Sequence, residues 1–81
     1  MNNRTNLDKS NRKHLPHLKF KGYLVENKIR QTEIAKLLHL SPVTVNQKIN
    51  GSLCFTFPEV ELICDEYNIS PNLFLTKKVA Q

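Results

Sequence analysis

Only two glycines, Gly22 and Gly51, and two cysteines, Cys54 and Cys64, occur in the 81 residues. So little glycine leaves no Gly-rich loop to cradle a phosphate. Two cysteines are too few for a disulfide framework, and in their apolar surroundings they read as reduced thiols. His14, His17 and His39 do not pair with them at zinc-ligand spacing, so no metal site is expected. No Ser-His-Asp set or paired-carboxylate constellation is present, so the chain is expected to be no enzyme and to use no cofactor or small-molecule substrate. No apolar run approaches the roughly eighteen residues of a membrane span, and the polar, basic N-terminus has no apolar signal core. A cytoplasmic protein without a membrane role is expected. Strand-type alternation and internal repeats are also missing.

What is present in excess is positive charge, and it is concentrated. Residues 1–21 hold Arg4, Lys9, Arg12, Lys13, Lys19 and Lys21 against Asp8 alone, a net of +5, which is the net charge of the whole chain. Residues 22–81 balance. Residues 1–16 are Asn-rich with almost no apolar content and cannot bury enough surface to fold alone. They read as a basic, flexible arm that either attracts phosphate or merely solvates the chain. The helical domain is expected over 17–76, and 77–81, with Lys77 and Lys78, as a tail.

Helical periodicity runs through the domain. Phe20, Tyr23 and Leu24 mark a first helix between His17 and about Asn27, weakened by Gly22, with Ile29 as an apolar plug. Ile34, Ala35, Leu37 and Leu38 mark a second over Gln31–Leu38. His39-Leu40 is a break. Ser41 is an N-cap candidate followed by Pro42 at the first helical position, where no N–H is lost, and Gly51 closes a third helix over Val43–Asn50. Thr56 and Glu59 form a capping box for a fourth helix, with Phe57, Val60, Ile63, Cys64 and Tyr67 on its apolar face, ending at Asn68. Glu59, Glu61, Asp65 and Glu66 lie on its other face, with Leu62 among them. Ser70-Pro71 repeats the start signal for a short fifth helix with Leu73 and Phe74.

The stretch from Gln31 to Asn50 is therefore laid out as helix, tight turn, helix. Ala35 is small where the two helices would cross, and Leu38, Leu40 and Val45 can clamp them. Thr44, Asn46, Gln47 and Asn50 cluster on the opposite face of the second of these helices. Asn and Gln can pair bidentately with adenine, and Thr can touch a thymine methyl.

Residues 20–75 resemble the phage-repressor/Cro-type helix-turn-helix family. The likeness rests on Gln31, Ala35, Ser41, Val45, Gly51, the closing Tyr67-Asn68-Ile69-Ser70, and the string Lys48-Ile49-Asn50-Gly51-Ser52. It implies an all-α, five-helix, lambda-repressor-like DNA-binding domain. It implies that Gln31 binds phosphate and braces the first base-contacting residue, that Pro42, Val43 and Gln47 fall on base-contacting positions with Thr44 and Asn46 beside them, and that Asn50 takes a backbone contact. Three departures stand out. His39 replaces the usual turn glycine, Lys48 occupies a position often apolar, and Pro42 and Val43 are poor hydrogen-bond donors.

The DNA-contacting set expected is Gln31, Ser41, Pro42, Val43, Thr44, Asn46, Gln47, Lys48 and Asn50, with Lys36 and Arg30 as further phosphate candidates. The function expected is a sequence-specific transcriptional regulator, a phage or prophage repressor-like protein on double-stranded DNA. Two-fold operators imply a homodimer, with Leu73–Val79, Leu53 and Phe55 as candidate contacts. An antitoxin-like partner protein, or a helical protein-interaction module that lost DNA binding, is the alternative.

Overall fold

Three helix starts in this chain, at Ser41, Thr56 and Ser70, place a hydroxyl residue one or two positions ahead of a proline, and the computed structural model, which describes residues 13–76, uses each hydroxyl as a cap. Ser41 Oγ accepts from the Thr44 backbone N–H at 3.1 Å. Thr56 Oγ1 accepts from Glu59 N–H at 3.3 Å while the Glu59 carboxylate accepts from Thr56 N–H at 2.9 Å. Ser70 Oγ accepts from Asn72 N–H at 3.1 Å. Each bond occupies a backbone donor that the first helical turn leaves without a partner. Helix ends are set by left-handed residues: His39 at φ 60°, Gly51 at φ 102° and Asn68 at φ 55°. His39 takes that conformation at the cost a side chain imposes there, a cost the usual glycine avoids.

Four α-helices result: α1 (Leu18–Glu26), α2 (Gln31–Leu38), α3 (Pro42–Asn50) and α4 (Phe57–Tyr67). A single 3-10 turn, Pro71–Phe74, follows where a fifth helix was expected. One turn is enough to bring Phe74 onto Phe20, their ring centroids 4.5 Å apart, and the backbone is already extended at Leu75. No strand occurs among the described residues.

The core takes Phe20 and Leu24 from α1, Ile34, Ala35 and Leu38 from α2, Val45 and Ile49 from α3, Ile63 from α4, and Phe74. Of all the helix pairs, α2 and α3 make the most extensive contact. Ala35, buried in α2, keeps that approach close.

Three placements differ from the sequence expectation. Phe57 is 74% exposed instead of lying in the core. Phe55 from the preceding loop fills the aromatic position instead, edge-on to Phe20 at 6.0 Å and to Phe74 at 5.3 Å. Phe55 is thereby partly buried and packed against the core. The folded domain also begins before residue 17. Lys13 N–H and His14 N–H both donate to the Gly51 carbonyl, at 2.6 and 3.4 Å, and His17 N–H donates to the Ile49 carbonyl at 2.8 Å. Residues 13–17 thus strap across the end of α3. Residues 1–12 of the expected arm and 77–81 of the tail lie outside the described residues.

His17 anchors the strap. It is buried beside His14, Phe55 and Phe74, at centroid distances of 4.4, 5.4 and 5.7 Å, and its Nδ1 has no hydrogen-bond partner. Burial lowers its pKa to about 4, repulsion from His14 adds to this, and a hydrogen bond with the Phe74 backbone works the other way. The folded state therefore holds a neutral imidazole, while the unfolded chain takes up a proton below its ordinary pKa of 6.5. A histidine lowered in this way weakens the fold as pH falls through the window from 6.5 to 4.

Two outcomes follow. Ala35→Leu should destabilise the fold by about 1–3 kcal/mol through overpacking between α2 and α3, read as a fall in urea midpoint; an unchanged midpoint would mean there is room at the crossing. Lowering the pH from 7 to 5 should cost the wild-type domain about 2 kcal/mol, and His17→Leu should shrink that loss. Equal pH dependence of the two proteins would show that His17 is not held neutral.

Candidate nucleic-acid interface

At 100° per residue, Val43, Asn46, Gln47 and Asn50 fall on one side of α3, and Val45, Lys48 and Ile49 on the other. Burial follows this division. Val45 and Ile49 are buried, Val43, Asn46 and Gln47 are exposed, and Thr44 and Asn50 are half-buried at the edges. Pro42, at the first helical position, is also exposed.

The amides on the outer face are joined in a chain that reaches α2. Asn50 Nδ2 donates to Asn46 Oδ1 at 2.9 Å, and Asn46 Nδ2 donates to Gln31 Oε1 at 3.3 Å. Each amide has two N–H groups and two lone-pair directions, so Asn46 keeps one donor and one acceptor for a ligand. Gln31, the first residue of α2, keeps its whole NH₂ group, and Asn50 keeps its carbonyl oxygen. The chain is directional, with donors free at the Gln31 end and an acceptor free at the Asn50 end. It fixes the Asn46 side chain before any ligand arrives, which lowers the ordering cost of a contact. Ser41 acts differently: its hydroxyl caps α3 and lies 2.9 Å from the Thr44 hydroxyl, so these two oxygens satisfy one another.

The model of the BetR domain family matches residues 20–81, over three quarters of the chain. The chain belongs to the BetR domain family. No curated protein and no solved structure matches it. The family match runs from Phe20, two residues into α1, through the 3-10 turn, and hence takes in the whole amide chain but not the strap at residues 13–17.

Within this BetR domain Lys48 must be removed from the expected DNA-contacting set. Its stem runs inward, only 8% of the residue is exposed, and its Nζ donates to the Cys54 carbonyl at 2.8 Å and to Glu59 Oε1 at 3.0 Å. The ammonium also lies 5.9 Å from the centre of the Phe55 ring. It cannot serve a phosphate without abandoning these partners. On Glu59, desolvation pushes the carboxyl pKa up, but hydrogen bonds from Thr56 and the Lys48 ammonium outweigh it and hold the pKa below its ordinary value. Lys36 and Arg30 are both exposed.

Two residues of the α3 surroundings escaped the sequence reading. His17 N–H, from the strap, closes the Ile49 carbonyl, and the His14 ring reaches the Leu53 carbonyl at 2.8 Å across 39 residues. Among the described residues no cluster of His, Cys, Asp or Glu could hold a metal ion, both cysteines are unpaired thiols, and no helix is long and apolar enough to cross a membrane.

Lys48→Ala strands the Glu59 carboxylate, and a buried pair broken on one side is costly. The variant should lose about 2–4 kcal/mol by urea denaturation, and a double-mutant cycle with Glu59→Gln should show the two losses to be non-additive. Additive losses would place Lys48 outside this contact and return it to the surface.

Proposed function

We propose that this BetR domain is a sequence-specific DNA-binding module of the lambda-repressor-like type. It regulates transcription by placing α3 in the major groove of an operator. The observation that carries the reading is the amide chain Gln31–Asn46–Asn50, which holds a base-reading side chain on the exposed face of a helix entered through a tight turn. In this reading Gln47 and Asn46 hydrogen-bond base edges, Val43 and Pro42 pack on base methyl groups, and Thr44 adds a methyl contact. Gln31 donates its free NH₂ to a phosphate, and Asn50 and Ser41 lie at the margins of the contact.

The basic N-terminal segment fits the same picture. Lys13 is bonded to the Gly51 carbonyl, one residue beyond Asn50, so the segment carrying Arg4, Lys9 and Arg12 joins the domain at the end of α3. In this reading its charge supplies phosphate affinity that the electrically balanced residues 22–81 lack. A two-fold operator calls for two domains, so the proposed working form is a homodimer, at least on DNA. A regulatory protein of this kind acts in the cytoplasm and needs no catalytic residue.

A second reading has one observation in its favour. Exposed Glu61, Asp65 and Glu66 give α4 an acidic surface, which suits a protein-interaction module or antitoxin-like partner. Salt separates the two: a DNA binder weakens steeply as salt rises, and an interaction module does not bind duplex at all.

Selection from a random duplex pool supplies the preferred site for a direct test. Gln47→Ala should cost roughly 1–3 kcal/mol on that site and much less on random duplex. Equal losses on both would reduce Gln47 to a phosphate contact.

A further inference from the structure

The outer face of α1 carries two large apolar side chains that the fold does not use. Leu18 is 68% exposed and Val25 71% exposed. Gly22 lies between them, one turn from each. A glycine inside a helix costs stability relative to alanine. Nothing in the domain requires this one: it has no positive φ, and a Cβ built on it would meet no atom within 4 Å. It opens a notch, so that Leu18, Lys21, Gly22, Val25 and Glu26 line a shallow groove along the helix.

The spacing of these five residues is that of a short coiled-coil seam. Leu18, Gly22 and Val25 are separated by four and three residues, which places them along one strip as d, a and d. Lys21 then flanks the strip on one side at a g position, and Glu26 flanks it on the other at the following e position. In a parallel pair of such helices the g residue of one faces the e residue five positions on in the other. Lys21 and Glu26 are five apart and opposite in charge. In an antiparallel pair g would face g and e would face e, setting lysine against lysine and glutamate against glutamate.

We propose that this face of α1 binds the same face of a second copy of the chain in parallel, about a two-fold axis along the helices. Leu18 and Val25 of each copy pack across the seam, Gly22 lets the backbones approach, and Lys21 of each copy pairs with Glu26 of the other. Such a contact is isologous and closes at two subunits. It is a different surface from Leu53, Phe55 and Leu73, of which Phe55 and Leu73 are already packed against the core. A nine-residue helix buries less than a standard protein interface, so the dimer is weak and concentration-dependent. The proposal gives the homodimer of the DNA-binding reading its surface, but it is tested without DNA, so either can fail alone.

Sedimentation equilibrium of the full chain at low salt, up to about 1 mM, reads the association directly. The wild type should approach the dimer mass. Val25→Lys should weaken association about tenfold or more, and Lys21→Glu or Glu26→Lys alone about tenfold, because each reversal sets like charges together twice. The double swap, Lys21→Glu with Glu26→Lys, should restore association to within about twofold of wild type. All four variants alter exposed side chains and should keep the wild-type melting temperature to within a few degrees, which separates lost association from lost folding. A wild type that stays monomeric throughout, as it would if another partner or the chain's own ends covered this face, overturns the proposal. So does association that Val25→Lys leaves intact. A double swap no better than the single reversals overturns the parallel pairing.

Discussion

The close approach of α2 and α3 is the constraint on which the rest of this domain depends. It is the largest helix–helix contact, and buried Ala35 permits it. Because the helices lie close, Gln31 at the start of α2 comes within 3.3 Å of Asn46 on α3 although fifteen residues separate them. A bulkier residue at 35 would move the two apart and break the amide chain before affecting any single outward-facing residue. Core packing and the arrangement of the candidate interface are therefore one property of the sequence.

The second constraint is how α3 ends. Two devices satisfy its last carbonyls, and a third fixes its underside. Gly51, in the left-handed conformation, lets the backbone N–H groups of Gly51, Ser52 and Leu53 all reach the Gln47 carbonyl. The strap at 13–17 closes Ile49 and Gly51, and His17 seats it among aromatic rings. Lys48 ties the underside of the helix to Glu59 and to the loop carbonyl of Cys54. The outer face of α3 is left to polar and aliphatic side chains whose backbone is held from three directions. Such a face can be ordered before a ligand binds.

Local chemistry was legible in the sequence. Ser41-Pro42, Gly51, the Thr56–Glu59 box and Asn68 act within three or four residues of themselves, and each start or stop lies where they put it. The outward placement of Val43, Asn46 and Gln47 follows from helix phase alone. Long-range partners were not legible. Lys48 carries the ordinary signature of a surface charge, and only the fold brings Glu59 and the Cys54 carbonyl to it. His17 gave no sign that it would be buried, because its neighbours Phe55 and Phe74 are distant in sequence. The exchange of Phe57 for Phe55 turned on the path of a loop, which periodicity does not describe. The tie from Asn46 to Gln31 is of the same kind, invisible from either residue alone; family resemblance had pointed to Gln31 as a brace for the first base-contacting residue, not for Asn46.

The central claim is that the outer face of α3, with Gln31, reads a base sequence. Titrating the isotope-labelled chain with a duplex recovered by selection, and following side-chain amide and backbone resonances by NMR, tests it most directly. The account predicts large shifts at Gln31, Val43, Thr44, Asn46, Gln47 and Asn50, with little change on the acidic face of α4 or at the buried Lys48. Recovery of no preferred sequence, or shifts that fall on α4 and spare α3, would contradict it.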